Sequence, residues 1–120
     1  MGNRATIGLS TKYGDAVGFV YLHWHGDAEY VVNAIKAAAF IMRKSDAGYA
    51  MARLIGILHN RIDGGLSLGI MAASDDARNN DDNGHFTIDM HEGTVTQELM
   101  ADDGTWSGAV VAEGLEFGNF

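Results

Sequence analysis

Val17-Gly18-Phe19-Val20-Tyr21-Leu22-His23-Trp24, then His25-Gly26-Asp27, then Val31, Ala34, Ile35, Ala38 and Ile41 at helical spacing, is the stretch on which the fold turns. The first eight residues place β-branched and aromatic side chains on both faces. That pattern predicts a strand buried on both sides, or a central strand with one face partly covered. Asp27 suits the N-cap of a helix running to about Arg43. Val32, Ala39 and Met42 widen its apolar stripe, and Arg43 and Lys44 bring positive charge to the end where the helix dipole favours it.

Working outward from this stretch, Ala5, Ile7 and Leu9 alternate with more polar residues as a first strand, and Tyr13-Gly14-Asp15 turns it into the second. Downstream, Ser45-Asp46 offers a second N-cap. A helix from about Ala47 to Arg61 sets Ala50, Leu54, Ile57, Leu58 and Arg61 on one side, and Gly64-Gly65 stops it. Leu66 to Ala72 reads as a third strand, followed by a polar loop from Ser74 to Gly84. Phe86, Ile88 and Met90 then alternate with His85, Thr87 and Asp89 as a half-buried strand. Glu92-Gly93 turns into Thr94 to Met100, and Asp102-Asp103-Gly104 turns into Trp106 to Ala112. The order is β-β-α-α-β-β-β-β over a single domain spanning residues 1–120. Strands joined by short turns predict an α+β two-layer sandwich, a largely antiparallel sheet with two helices on one face.

The composition fits that size and class. Of 120 residues, 47% are hydrophobic, enough for one ordinary core. Cysteine is absent, which excludes disulfides and thiolate metal sites and fits a reducing compartment. The start Met1-Gly2-Asn3-Arg4-Ala5 lacks the apolar segment of a secretory signal, and Ala37 to Met42 is too short to cross a bilayer. These observations predict a cytoplasmic protein. Proline is also absent, so turns fall to Gly, Asn and Asp.

Charge is distributed unevenly. Residues 1–78 hold all eight Lys and Arg against seven Asp and Glu, whereas residues 79–120 hold nine Asp and Glu and no Lys or Arg. The net charge of −8 argues against direct contact with DNA or RNA. It suits solubility first. It also suits a basic partner, including a protein that itself binds nucleic acid.

Five strings in register resemble a family of small proteins encoded by phages, prophages and other mobile elements. They are Gly2-Asn3-Arg4-Ala5, Tyr21-Leu22-His23-Trp24-His25-Gly26, Tyr49 with Ala52-Arg53, Gly64-Gly65-Leu66-Ser67-Leu68-Gly69-Ile70, and Asp82-Asn83-Gly84-His85-Phe86-Thr87-Ile88. The similarity covers roughly the first ninety residues. His25 stands where the family carries Asn, and the tail after Met100 is outside the resemblance. What the resemblance implies is an accessory protein of a mobile element acting in the host cytoplasm; by analogy, small acidic phage proteins of this size often block host defence by occupying a surface or sequestering a signal molecule.

The candidate sites carry competing expectations. His23 and His25, two apart on a strand, are expected on one side of the sheet. They would begin a zinc or copper site if His85, His91 or Asp89 supplied a third ligand. Only the first two have a spacing argument, so the expectation is hydrogen-bonded histidines at the sheet edge, with no metal and no cofactor. Asn79 to Gly84 resembles the first half of a calcium loop. Its twelfth position is Met90 rather than Glu, so a solvated turn is the better reading. Ser67 lacks a Gly-x-Ser-x-Gly elbow, no Lys-Ser/Thr follows Gly64-Gly65 or Gly69, and the paired acids Asp75-Asp76, Asp81-Asp82 and Asp102-Asp103 lie in loops. No catalytic residue is named, and the chain reads as a binder.

Arg4 and Arg53, with Tyr21, His23 and Trp24, are candidates for a pocket that takes an anionic aromatic ligand such as a nucleotide. The competing expectation pairs the two arginines internally with Asp27, Asp63 or Asp89. Asp81, Asp82, Asp102, Asp103, Trp106, Glu113, Glu116 and Phe117, with Leu115 and Phe120, are candidates for a partner-binding or self-association surface, against the alternative that the apolar ones complete the core. The first functional expectation is therefore a phage or prophage accessory protein that binds a host protein through an acidic surface as an anti-defence inhibitor, with a homodimer also in view. The second is a small-ligand, nucleotide-sequestering protein. The third is a metal-dependent hydrolase built on His23 and His25.

Overall fold

Alternation along the first strand decides where the core lies, because Ala5, Ile7 and Leu9 must share one face and Thr6, Gly8 and Ser10 the other. In the computed structural model, which describes residues 3–61 and 68–118, the first set is buried against two helices. Strand β1 (Ala5–Thr11) turns through the two-residue β2 (Gly14–Asp15) into β3 (Gly18–Leu22). Helices α1 (Ala28–Ala38) and α2 (Ala47–Arg61) follow, then β4 (Leu68–Ala72), β5 (His85–Asp89), β6 (Thr94–Met100) and β7 (Trp106–Ala112). The sheet order is β4-β3-β1-β5-β6-β7, with β2 paired to β1. The pairing is antiparallel except at the centre, where β1 and β5 run parallel. The fold is the α+β arrangement that the alternation predicts. Of the expected third strand, Leu66 and Ser67 lie outside the described residues, as do Gly64, Gly65 and Asp63.

Both helix starts use the carboxylates that the sequence offers. Asp27 accepts the Tyr30 N–H at 3.1 Å, and Asp46 accepts that of Tyr49 at 3.0 Å. Val31, Ala34, Ile35 and Ala38 of α1 and Ala50, Met51, Leu54 and Leu58 of α2 are buried. They meet Ile7, Leu9, Val20, Leu22, Phe86, Ile88 and Val95 from the sheet. Arg61, expected on the apolar side of α2, is instead exposed with its guanidinium over the Tyr30 ring.

Helix α1 stops at Ala38, short of the expected Arg43, and gives way to a 3₁₀ turn over Ala39–Ile41. The C-terminal tail supplies the reason. The Gly118 N–H donates to the Ala39 carbonyl, Arg43 and Gly118 form a parallel bridge, and the Lys44 N–H donates to the Gly118 carbonyl. These bonds take over backbone groups that a longer helix would use, and they leave Met42 extended and buried. Phe117, at 8% exposure, belongs to the core, which corrects the expectation of a contact residue there. Leu115 packs against the same cluster, and Phe120 lies outside the described residues.

Candidate functional site

Residues 73–84 connect two parallel strands, β4 at one edge and β5 beyond β1, so the chain must cross β3 and β1. It does so on the face opposite the helices. The Asn79 N–H donates to the Thr6 hydroxyl at 2.9 Å, and the Asn79 and Asn83 side chains donate to the Arg4 carbonyl, each at 3.3 Å. Arg78 reaches further. Its guanidinium lies 4.3 Å from the centre of the Trp106 ring, with one nitrogen 3.5 Å from Glu98. The crossover is thus pinned to the sheet from its middle onward, and at its start the Ala73 N–H donates to the Val17 carbonyl.

Between this roof and the sheet lies a cavity of about 430 Å³. Gly8, Ser10, Phe19, His85, Thr87 and Glu98 line its floor, with Asp15 and the roof residues Ser74, Asp75 and Arg78 around it. Gly8 is the saddle. Across it the Phe19 and His85 rings meet at 4.6 Å, and a side chain on Gly8 would begin 2.7 Å from the Phe19 ring and 3.3 Å from His85 Nε2. Gly84, at φ +69°, lets the chain enter β5, where a Cβ would fall 2.0 Å from the Glu98 carbonyl oxygen.

His85 is only 2% exposed and Thr6 1%. Nδ1 of the imidazole lies 2.7 Å from the Thr6 hydroxyl, whose oxygen already accepts the Asn79 N–H. The buried hydroxyl hydrogen needs an acceptor, and Nδ1 provides it. Hydrogen-bond accounting therefore assigns the proton to Nε2, which faces the cavity as a donor. Burial, helped by the nearby Arg78 charge, pushes the imidazole down to about 4, so the ring is neutral at physiological pH. Held this way it is a fixed N–H donor. It is poorly set up as a base. Three carboxylates, Asp15, Asp75 and Glu98, face one guanidinium, so the lining carries a negative balance.

The sequence-predicted residues fall elsewhere. Arg4 sits at the start of β1, where its N–H and Nε donate to Asp82 at 2.9 and 3.0 Å and its Nη2 to Asp81. Backbone and side-chain bonds from Arg4 hold the Asp82 carboxyl below its usual range. The internal partners are thus Asp81 and Asp82 rather than Asp27 or Asp89. Asp27 caps α1, and Asp89 accepts the His91 and Glu92 N–H groups. Arg53 lies on α2, over the Tyr49 ring at 4.4 Å, with the helix layer and the sheet between it and Arg4. Tyr21 donates to or accepts from His23 at 2.9 Å, and His23 meets Trp24 edge-on at 5.2 Å. The five residues therefore split, Arg4 with Tyr21, His23 and Trp24 near the start of β1, Arg53 apart.

His23 and His25 do not share a side. The strand ends at Leu22, His25 takes φ +64°, and its ring packs on Tyr30 at 4.9 Å. Among the described residues no group of three His, Asp or Glu converges as metal ligands would. The Asn79 to Gly84 segment spends its side chains on Arg4, Asn3 and backbone carbonyls. Trp106 is half-buried beneath Arg78, and Asp103 accepts from Thr105. Asp102, Glu113 and Glu116 are exposed. Several carboxylates of the acidic third thus serve the fold. No helix among the described residues is long and apolar enough to cross a membrane.

The cavity's polar residues were not singled out by sequence, apart from His85 as a third metal ligand and Asp75 as one of a loop pair of acids. Their signal was the polar side of two alternating strands, Thr6-x-Gly8-x-Ser10 and His85-x-Thr87-x-Asp89. Compared with known proteins, the chain matches no family, no curated protein and no solved structure.

Proposed function

We propose that the chain is a small-ligand-binding protein whose site is the cavity under the crossover. One observation carries this reading: a buried, neutral histidine is held by Thr6 so that its N–H faces a polar cavity, at a position where core packing alone would favour an apolar residue. The volume lies in the range of small-molecule sites, and Phe19 offers one apolar wall among convergent polar groups. Donors at His85 and Arg78, hydroxyls at Ser10 and Thr87, and the surplus of carboxylates suit a compact polar ligand that is uncharged or carries an amine. The resemblance to mobile-element proteins fits sequestration of a host signal molecule. The test is a thermal-shift screen of the whole chain against uncharged and amine-bearing metabolites, repeated on His85→Leu. Hits that disappear in the variant support the site. Hits that persist unchanged overturn it.

A second reading keeps a host-protein partner and is favoured by the β6–β7 hairpin. Ser107 to Val110 of the edge strand are exposed, and the turn carries Asp102 and Asp103. An extended segment of a basic partner could add beside β7, with the turn carboxylates steering its approach. A pulldown from host lysate in which Val110→Lys and Asp102→Lys release the same captured protein would support it. Capture unaffected by either substitution would remove it.

A further inference from the structure

We propose that a second cavity, of about 470 Å³, between the β1–β2 turn, the connection from α1 to α2 and the β5–β6 turn, is a nucleotide site. Among the described residues, Lys12, Tyr13, Arg43, Lys44, Ser45, His91 and Gly118 line it, with no Asp or Glu in that set. Three of the eight Lys and Arg of a chain with net charge −8 therefore share one cavity.

Two of the acids nearest in sequence do other work, Asp46 capping α2 and Asp89 accepting two turn N–H groups. Glu92 stands 3.9 Å from His91 and, with Glu116, lines an adjoining cavity that shares Lys44 and His91, so the cations that remain toward this side are Lys12 and the outer face of Lys44. Convergent positive charge in a concave site raises the local concentration of anions. Arg43 lies 5.5 Å from the Tyr49 ring. Lys12 and Lys44 are exposed and can fold onto a phosphate. At the rim Tyr13 is 74% exposed, with the Lys12 ammonium 5.9 Å from its ring centre, and offers a flat face on which a base can stack. Phosphate charge in the cavity and a planar ring on Tyr13 together describe a nucleotide.

The proposal is independent of the cavity under the crossover. Isothermal titration of the full chain with ADP, inorganic pyrophosphate and citrate tests it. ADP should bind most tightly. Lys12→Ala with Lys44→Ala should weaken it about tenfold or more, whereas Lys36→Ala should leave it unchanged. Tyr13→Ala should remove the advantage of ADP over pyrophosphate. Equal binding of pyrophosphate and ADP by the unsubstituted chain would overturn the nucleotide assignment. Absence of ADP binding, or ADP binding insensitive to the double substitution, would overturn the site.

Discussion

The two faces of the sheet are both covered, but by different means. Against the helices lie Ile7, Leu9, Val20, Leu22, Phe86 and Ile88, a continuous apolar layer. Beneath the crossover lie Thr6, Gly8, Ser10, His85 and Thr87, from β1 and β5 at the intervening positions, with Glu98 beside His85 on β6. The first face is buried because hydrocarbon leaves water. The second is covered although its groups are polar, with Thr6 and His85 buried and Ser10, Thr87 and Glu98 half-buried, and hydrogen bonds from Asn79 and Arg78 hold its cover in place. Burial without apolarity is the mark that separates a site from a core.

That contrast can be broken most forcefully on the apolar side. Phe86→Ala should cost about 3–5 kcal/mol of stability, read as a lowered denaturation midpoint. On the polar side the next largest effect is driven by pH. The imidazole of His85 is held at about 4 in the folded chain, against 6.5 when unperturbed. Between those values the unfolded chain takes up a proton that the folded chain refuses. Stability fully present above pH 6.5 should therefore decline as the pH falls, with the loss complete below about 4 and amounting to ~3 kcal/mol at most. His85→Leu should flatten this slope in denaturant titrations at stepped pH. Asp82 and Asp103, held low by Arg4 and Thr105, add their own losses only below the ordinary carboxylate range, so the windows separate.

Smaller effects sharpen the comparison. Thr6→Val keeps the shape but strips partners from both His85 and the Asn79 N–H, and should cost about 2 kcal/mol by chemical denaturation. Arg78→Ala releases the middle of the roof, whose half-buried ion pair and ring contact are together worth about 1 kcal/mol. Its main consequence should be weaker ligand binding with the denaturation midpoint nearly kept.

The sequence made the apolar face legible and left the polar one hidden. Alternation at Ala5-Ile7-Leu9 and Phe86-Ile88 located the strands, and Asp27 and Asp46 located both helix starts, because these signals act over a few neighbouring residues. The end of α1 was misplaced because Gly118, nearly eighty positions away, takes the Ala39 carbonyl. The partnership of Thr6 with His85 was invisible for the same reason, since no local pattern announces which strands become parallel neighbours. Arg4 was correctly marked as needing a partner, but Asp81 and Asp82 come to it through the crossover. A similar distance separates Lys12 from His91, which only the folded chain brings to one cavity.

The central parallel pair joins residues 79 positions apart, as between Thr6 and His85. Closing so long a loop is entropically slow, and it happens once β1 and the β5–β6–β7 meander are ready to meet. The crossover cavity needs strands from both sides of that junction, so it comes into being only as folding finishes. A molecule that fits it should prolong the lifetime of the native chain while leaving the refolding rate unchanged, a kinetic signature visible in paired stopped-flow traces.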